Sequence, residues 1–256
     1  MKPMKIIKTA LWFLLIAGIL VLVSFINVEH KKTTCKEIEI NIDYGGGDPL
    51  IMPEQIKSKL QPDTLIGKRL SEIDLVKIEK RINAIPLLSK ADAYTTITGN
   101  LSIHAKQCRP ILRVFTASNK SYYFDQNGDV IPVSTNYPSR VLIASGNIHI
   151  NYSDTLNVLE LKEKTLLNDL FKLSEFIYND KFLKAQIDQI YVNRFKEFEL
   201  VPKVGKHLIV FGKVENIEEK FERLMKFYEE GLNKTGWNKY SIVNLKFDNQ
   251  VVCTKR

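Results

Sequence analysis

The sequence predicts an α+β protein: a single N-terminal transmembrane helix, a small strand-helix-helix-strand-strand domain, and a larger mixed β-rich domain with a C-terminal edge strand. Three observations carry this prediction. Residues Ala10 to Ile26 form an almost unbroken apolar run with no second copy in the chain. Strand-like and helix-like apolar periodicities then follow one another in a fixed order as far as Lys106. Beyond Arg109-Pro110 the pattern changes to short β-prone runs broken by turn residues.

At about 1.5 Å rise per residue, a helix over residues 10–28 is long enough for the ~30 Å hydrocarbon layer. Lys2, Lys5 and Lys8 precede it and favour a cytoplasmic tail over residues 1–9, although His30, Lys31 and Lys32 narrow the charge asymmetry. Phe25, Ile26, Asn27, Val28 and Glu29 offer no pair of small residues spaced for signal-peptide cleavage. The run therefore reads as an uncleaved anchor, with the bulk of the chain outside the inner leaflet. The remainder is ordinary for a folded protein, at 45% apolar and 26% charged residues. The net charge of +8 includes the three leading lysines, and no dense Lys/Arg block interleaved with aromatics occurs. Nucleic acid is thereby excluded as the expected partner. Cys35, Cys108 and Cys253 show no CxxC spacing; buried reduced thiols, or one bridge with one thiol left over, both fit.

Cys35 to Ile42 alternates apolar and polar residues and predicts a strand. Tyr44-Gly45-Gly46-Gly47-Asp48-Pro49 breaks it; the run lacks the Gly-Lys-Ser/Thr ending of a phosphate cradle and reads as a turn. Pro53 suits the first turn of a helix that buries Ile56 and Leu60. Ser71 reads as the cap of a second helix carrying Ile73, Val76, Ile78 and Ile82, which Pro86 closes. Ala91 to Thr96 and Leu101 to Lys106 form a hairpin pattern through Gly99-Asn100.

In the second half, Tyr122-Tyr123-Phe124 and Val130-Ile131-Pro132 flank the turn Asp125-Gln126-Asn127-Gly128, and Arg140 to Ala144 predicts another strand. Leu166 to Tyr178 predicts a helix with Leu167, Leu170, Phe171, Ser174 and either Ile177 or Tyr178 on one stripe. Strands are predicted over Gln186–Val192, Phe198–Pro202 and His207–Phe211. Asn216 to Gly231 reads as a helix with an Asn cap and a terminal glycine. Tyr240 to Phe247 alternates again, with Ser241, Val243, Leu245 and Phe247 on the expected core face and Ile242, Asn244 and Lys246 half-exposed. The domain divisions expected from these changes are 1–9, 10–28, 35–114 and 115–256.

Catalytic chemistry is not legible. HExxH, GxSxG and SxxK motifs are missing from the sequence, and no nucleophile stands beside a candidate base. His104 and Cys108 have a spacing that suits a helix face, not the strand predicted there, so the pair reads as coincidence. No metal, cofactor or catalytic residue is assigned. What remains is a surface for binding. A strand near the chain end is a candidate sheet edge, and an edge can accept a strand from a partner.

Several segments together carry a resemblance. Leu65-Ile66-Gly67-Lys68, Ile85-Pro86-Leu87-Leu88 and Ala91-Asp92-Ala93 are similar to a POTRA domain. Gln107-Cys108-Arg109-Pro110-Ile111, Tyr123-Phe124-Asp125, Gly128 and Val130-Ile131-Pro132 follow at the spacing of its junction with a β domain. Val210-Phe211-Gly212, the helix from Asn216 and the closing Tyr240 to Gln250 complete the order. With the anchor, the chain resembles the FtsQ/DivIB family of bacterial cell-division proteins over nearly its whole length. Its ending Gln250-Val251-Val252-Cys253 is similar to Bacteroidota-type members. Asn244 and Lys246 stand where the family carries Asp and Arg, so a salt bridge used by other members is either lost or rebuilt. The resemblance implies a non-enzymatic divisome scaffold at the septum, anchored in the inner membrane with its bulk in the periplasm, that binds FtsB- and FtsL-like single-span coiled-coil proteins by strand addition. By position it implies a contact segment of Lys246, Phe247, Asp248, Asn249, Gln250, Val251 and Val252. A POTRA-bearing secretion or outer-membrane assembly component is the alternative; it normally carries tandem POTRA copies or a long barrel, of which the sequence shows neither. A membrane-anchored cell-wall enzyme would need the missing catalytic constellation.

Overall fold

The computed structural model describes residues 12–19, 33–149, 156–161, 163 and 165–256. Residues 12–19 are helical, with the large side chains from Trp12 to Ile19 exposed. The expected tail 1–9 and the rest of the expected span lie outside the described residues. Among the described residues no helix is long and apolar enough to cross a membrane. Two compact units make up the rest, one of 33–43 with 51–107 and the other of 44–50 with 108–256.

The first unit runs β1 (Glu37–Asp43), α1 (Pro53–Leu60), α2 (Leu75–Asn83), β2 (Leu88–Thr95) and β3 (Asn100–Gln107). Its sheet has the order β1-β3-β2, with β1 parallel and β2 antiparallel to β3. Ile38, Leu101, Ile103, Ala91 and Ala93 point from the sheet into a core closed by Ile56 and Leu60 of α1 and Ile78 and Ile82 of α2. Pro53 opens α1 as expected, and the Gln55 side chain reaches back to accept from the Met52 N–H at 2.9 Å. The start of α2 differs from expectation. Leu70–Glu72 is a separate 3-10 turn, and the cap is Asp74, whose Oδ1 accepts from the Lys77 N–H at 3.0 Å. An Asp at this position satisfies one orphan donor and favours the positive helix end, whereas Ser71 lies a turn too early. Val76 consequently falls off the buried stripe and is 74% exposed.

The second unit runs β4 (Pro110–Phe115), β5 (Ser121–Asp125), β6 (Val130–Pro132), β7 (Leu142–Gly146), α3 (Leu166–Asn179), α4 (Lys181–Gln186), β8 (Ile187–Val192), β9 (Phe198–Pro202), β10 (Leu208–Gly212), α5 (Ile217–Lys226), β11 (Tyr240–Asn244) and β12 (Val252–Lys255). All nine strands join one mixed sheet in the order β12-β11-β10-β9-β8-β7-β4-β5-β6. β4, placed in the first domain by the expected division at 114/115, pairs here with β5 and β7. The Gly45–Gly47 run is a turn, with the Gly47 N–H donating to Tyr44 O at 3.0 Å, and its segment packs with this unit: Ser134 Oγ donates to Leu50 O at 2.5 Å.

Helices α3 and α5 supply the core against the sheet. Of the expected α3 stripe, Leu167, Leu170, Phe171, Ser174 and Ile177 are buried, and Tyr178, the alternative to Ile177, is half-buried. Phe221 of α5 stacks on Phe176 of α3 and tilts against Phe211 of β10, both at 5.2 Å between ring centroids. Asn216 precedes α5 but does not cap it with its side chain; its φ of 50° lets the chain turn sharply out of β10. Nor does Gly231 end this helix. The helix continues through a wide turn over Phe227–Leu232 to Thr235, and Gly236, at φ 96°, is the terminator. At Gly231 a Cβ would come within 2.9 Å of the Phe227 ring, so that glycine serves packing.

Asp125 caps the β5–β6 turn: its Oδ1 accepts from the backbone N–H groups of Asn127 at 2.8 Å and Asp129 at 2.9 Å. Burial pushes its carboxyl up to about 6. A folded value above the unfolded one means that the stability it contributes is complete below the ordinary 3.8 and is lost as pH rises through about 6.

Two outcomes are expected. Asp74→Ala costs about 1 kcal/mol in denaturant unfolding, and Ser71→Ala costs less. Asp125→Asn, which keeps the Oδ1 acceptor, gains stability relative to wild type as pH rises from 3.8 to about 6, read from denaturation midpoints across that window.

Candidate interaction edge

An open sheet ends on two strands whose outward N–H and C=O groups have no ladder partner. In the second unit these are β6 and β12. β6 is short, ends at Pro132, and is covered. The Val130 N–H donates to Leu156 O at 2.9 Å, the Val158 N–H to Gly128 O at 2.8 Å, and Asn157 Nδ2 to Asp129 Oδ1 at 2.8 Å. Among the described residues no backbone segment covers β12.

The ladder fixes which groups of β12 are open. The Leu245 N–H donates to Val210 O, so Val243 also turns its backbone toward β10, and Ile242 and Asn244 turn theirs toward Thr254 and Val252. The N–H and C=O of Cys253 and the N–H of Lys255 are left on the outer side. The Val252 and Thr254 side chains are exposed, while Cys253 is half-buried on the core and burial pushes its thiol up. The strand end is held by the Arg256 N–H to Lys239 O at 3.2 Å and by Arg256 Nη2 to Lys206 O at 2.5 Å.

Beneath this edge, α5 pins the ends of β10 and β11 by their carbonyls. Lys220 is buried, donates to Phe211 O at 3.1 Å and Lys213 O at 2.8 Å, and lies 4.8 Å over the Phe211 ring. Burial pulls its pKa below the usual lysine value, against the opposing pull of Glu215. Arg223 Nη2 donates to Leu245 O at 3.2 Å. Lys246 crosses Gly212 and reaches Glu197, with Nζ 2.7 and 2.9 Å from the two carboxylate oxygens. Gly212 has φ 78°, and a Cβ there would lie 2.7 Å from Lys246 Cγ, so only glycine leaves this path open. Lys246 thus forms an ion pair with Glu197, on the connection between β8 and β9.

The sequence expectation of Tyr240 to Phe247 as the edge is corrected: β11 stops at Asn244 and lies second from the edge, inside β12. Asn244 Oδ1 accepts from the Lys246 N–H at 3.0 Å, which ends the alternation. Phe247, expected on the core face, is therefore 46% exposed, whereas Val243 and Leu245 are buried. Lys246, Phe247, Asp248, Asn249 and Gln250 form an exposed connection, with Asn249 in the left-handed region at φ 57°. Val251 is half-buried against the core, and Val252 opens β12. The sequence reading missed Cys253, Thr254 and Lys255. Their signal was the Asp248-Asn249 turn followed by β-branched Val251, Val252 and Thr254.

Among the described residues no group of three or more His, Cys, Asp or Glu could hold a metal ion. His104 meets Tyr94 Oη at 3.0 Å on an exposed face of its sheet, and Cys108 is buried. The model of the FtsQ/DivIB C-terminal related domain matches residues 109–254, and that of the POTRA-like domain matches residues 33–106. No curated protein matches the chain.

Gly212→Ala is expected to cost about 1–2 kcal/mol through its left-handed backbone and more through displacement of Lys246. In a Lys246→Ala background the second part disappears, and a double-mutant cycle in denaturant unfolding measures the difference. The same cycle on Lys246 and Glu197 returns a coupling of roughly 0.2–1 kcal/mol that shrinks with added salt.

Proposed function

The chain belongs to the FtsQ/DivIB family of cell-division proteins, and from that premise we propose that it is a membrane-anchored, non-enzymatic scaffold of the divisome that receives a partner strand on β12. The partners proposed are FtsB- and FtsL-like single-span coiled-coil proteins. The anchor is the apolar run beginning at Ala10, with the tail cytoplasmic and the two units periplasmic. The observation that carries the reading is the contrast between the two ends of the nine-stranded sheet. β6 is covered, and β12 turns the backbone of Cys253 and Lys255 outward.

A partner strand laid along β12 gains main-chain hydrogen bonds from Cys253 and Lys255 and covers the exposed Val252 and Thr254 side chains. The connection Lys246 to Gln250 and the neighbouring Val251 stand at the start of that strand, where Phe247 offers an exposed aromatic anchor for the partner's continuation. The first unit, matched by the POTRA-like model, would serve recruitment.

The test is recovery of small single-span coiled-coil proteins with the tagged full-length chain from solubilised membranes. Phe247→Glu is expected to keep the fold, because the side chain is about half exposed, and to reduce recovery at least several-fold. Lys255→Pro removes an outward N–H that the domain does not use and should do the same. Full recovery by a folded Lys255→Pro chain contradicts strand addition. Removing residues 1–28 should weaken septal localisation more than binding in solution.

A further inference from the structure

The first unit treats its two sheet edges differently. On β2 the outward groups are taken by side chains of α2. Asn83 Nδ2 donates to Ala91 O at 3.0 Å, Asn83 Oδ1 accepts from the Ala91 N–H at 2.7 Å, and Glu79 Oε1 accepts from the Ala93 N–H at 2.9 Å. These three bonds occupy the positions that an added strand would use, so this edge is closed from within.

Among the described residues β1 has no such cover. Because Ala91 and Ala93 face outward, Asp92 and Tyr94 face β3, and the register Asp92↔His104 turns Ile103 toward β1. In the parallel pairing Ile40↔Ile103, a residue facing its neighbour stands opposite one that faces away. The N–H and C=O of Ile40 and Ile42 therefore lie on the open side. Their side chains are also incompletely covered: Ile38 is buried, but Ile40 and Ile42 are half-exposed at the rim of the core. On the opposite face of the strand Glu37, Glu39 and Asp43 are exposed. An antiparallel pair of two β1 strands centred on Ile40 would set Glu37 opposite Asp43, which like-charge repulsion disfavours. Charge and exposure together select a different occupant.

We propose that β1 is a second strand-accepting edge, and that it takes an extended segment of another protein with Lys or Arg at alternate positions and apolar residues between them. The basic side chains lie beside Glu37, Glu39 and Asp43, and the apolar ones complete the cover over Ile40 and Ile42. The proposal stands apart from the role given to β12, since it concerns another unit and another partner chemistry.

A short blocked peptide alternating lysine and valine, labelled with fluorescein and carrying one photoreactive leucine analogue, is the probe. It is titrated at low salt into the full-length chain in zwitterionic nanodiscs, and crosslinked residues are identified by mass. Crosslinks are expected on Glu37–Asp43, with several-fold weaker binding to the Glu37→Lys, Asp43→Lys double variant, whose changes lie at exposed positions. That variant should instead prefer an alternating glutamate–valine peptide. In a Glu79→Ala, Asn83→Ala chain, crosslinks should also appear on β2. Crosslinks on β2 or β12 of the wild-type chain in place of β1, or equal affinity for the charge-reversed variant, overturn the proposal. So does disulfide pairing between a Glu39→Cys chain and an Asn41→Cys chain, which face each other in a pair centred on Ile40 and would make a second copy the occupant.

Discussion

Every backbone N–H and C=O at the margin of an open sheet must find a partner in the protein, in water or in another chain. That constraint organises this molecule. The three-stranded sheet closes one margin with Asn83 and Glu79 and leaves β1 exposed. The nine-stranded sheet closes one margin with residues 156–158 and leaves β12 exposed. Among the described residues, one margin of each sheet is left without a covering group. Long unprotected edges invite aggregation; β12 has only four residues, and the seven of β1 alternate charged or polar side chains with apolar ones.

The position of β12 follows from packing several residues away. β11 lies parallel to β10, so the chain must cross the sheet face between them, and α5 makes that crossing. The Phe221 ring anchors the helix against Phe176 and Phe211, while Lys220 and Arg223 hold carbonyls at the ends of both strands. A buried ammonium is costly unless its donors are satisfied, and Lys220 meets two carbonyls and an aromatic face. Gly212 then leaves room for Lys246 to bridge to Glu197, which fixes the start of the connection leading into β12. The uncovered edge is thus positioned by the core and by one left-handed glycine.

Much of this was legible in the sequence because the relevant signals are local. The alternation from Cys35 to Ile42, the α3 stripe and the hairpin through Gly99-Asn100 each report a buried face directly, and each element forms close to its expected bounds. Family resemblance implied a contact segment near the chain end. The failures are those of context. Phe247 continues a period-2 pattern, but the Asn244 side chain takes the next backbone donor and the strand stops before reaching it. Four residues are few for a strand signal, so β12 passed as a tail although the Asp248-Asn249 turn announced a hairpin. Capping of β2 by Asn83 and Glu79 depends on which residues a helix sets beside a strand, and no local pattern in the sequence carries that information.

The most direct measurement is residue-resolved amide hydrogen exchange on the full-length chain without partners. Open margins predict that the Cys253, Lys255 and Ile40 amides exchange much faster than their ladder-paired neighbours Thr254 and Asn41, while Ala91, Ala93 and Val130 exchange slowly because side chains or backbone already hold them. Slow exchange at Cys253 and Lys255 with fast exchange at Ala91 and Ala93 would reverse the assignment of open and closed edges and remove the basis for partner binding on β12.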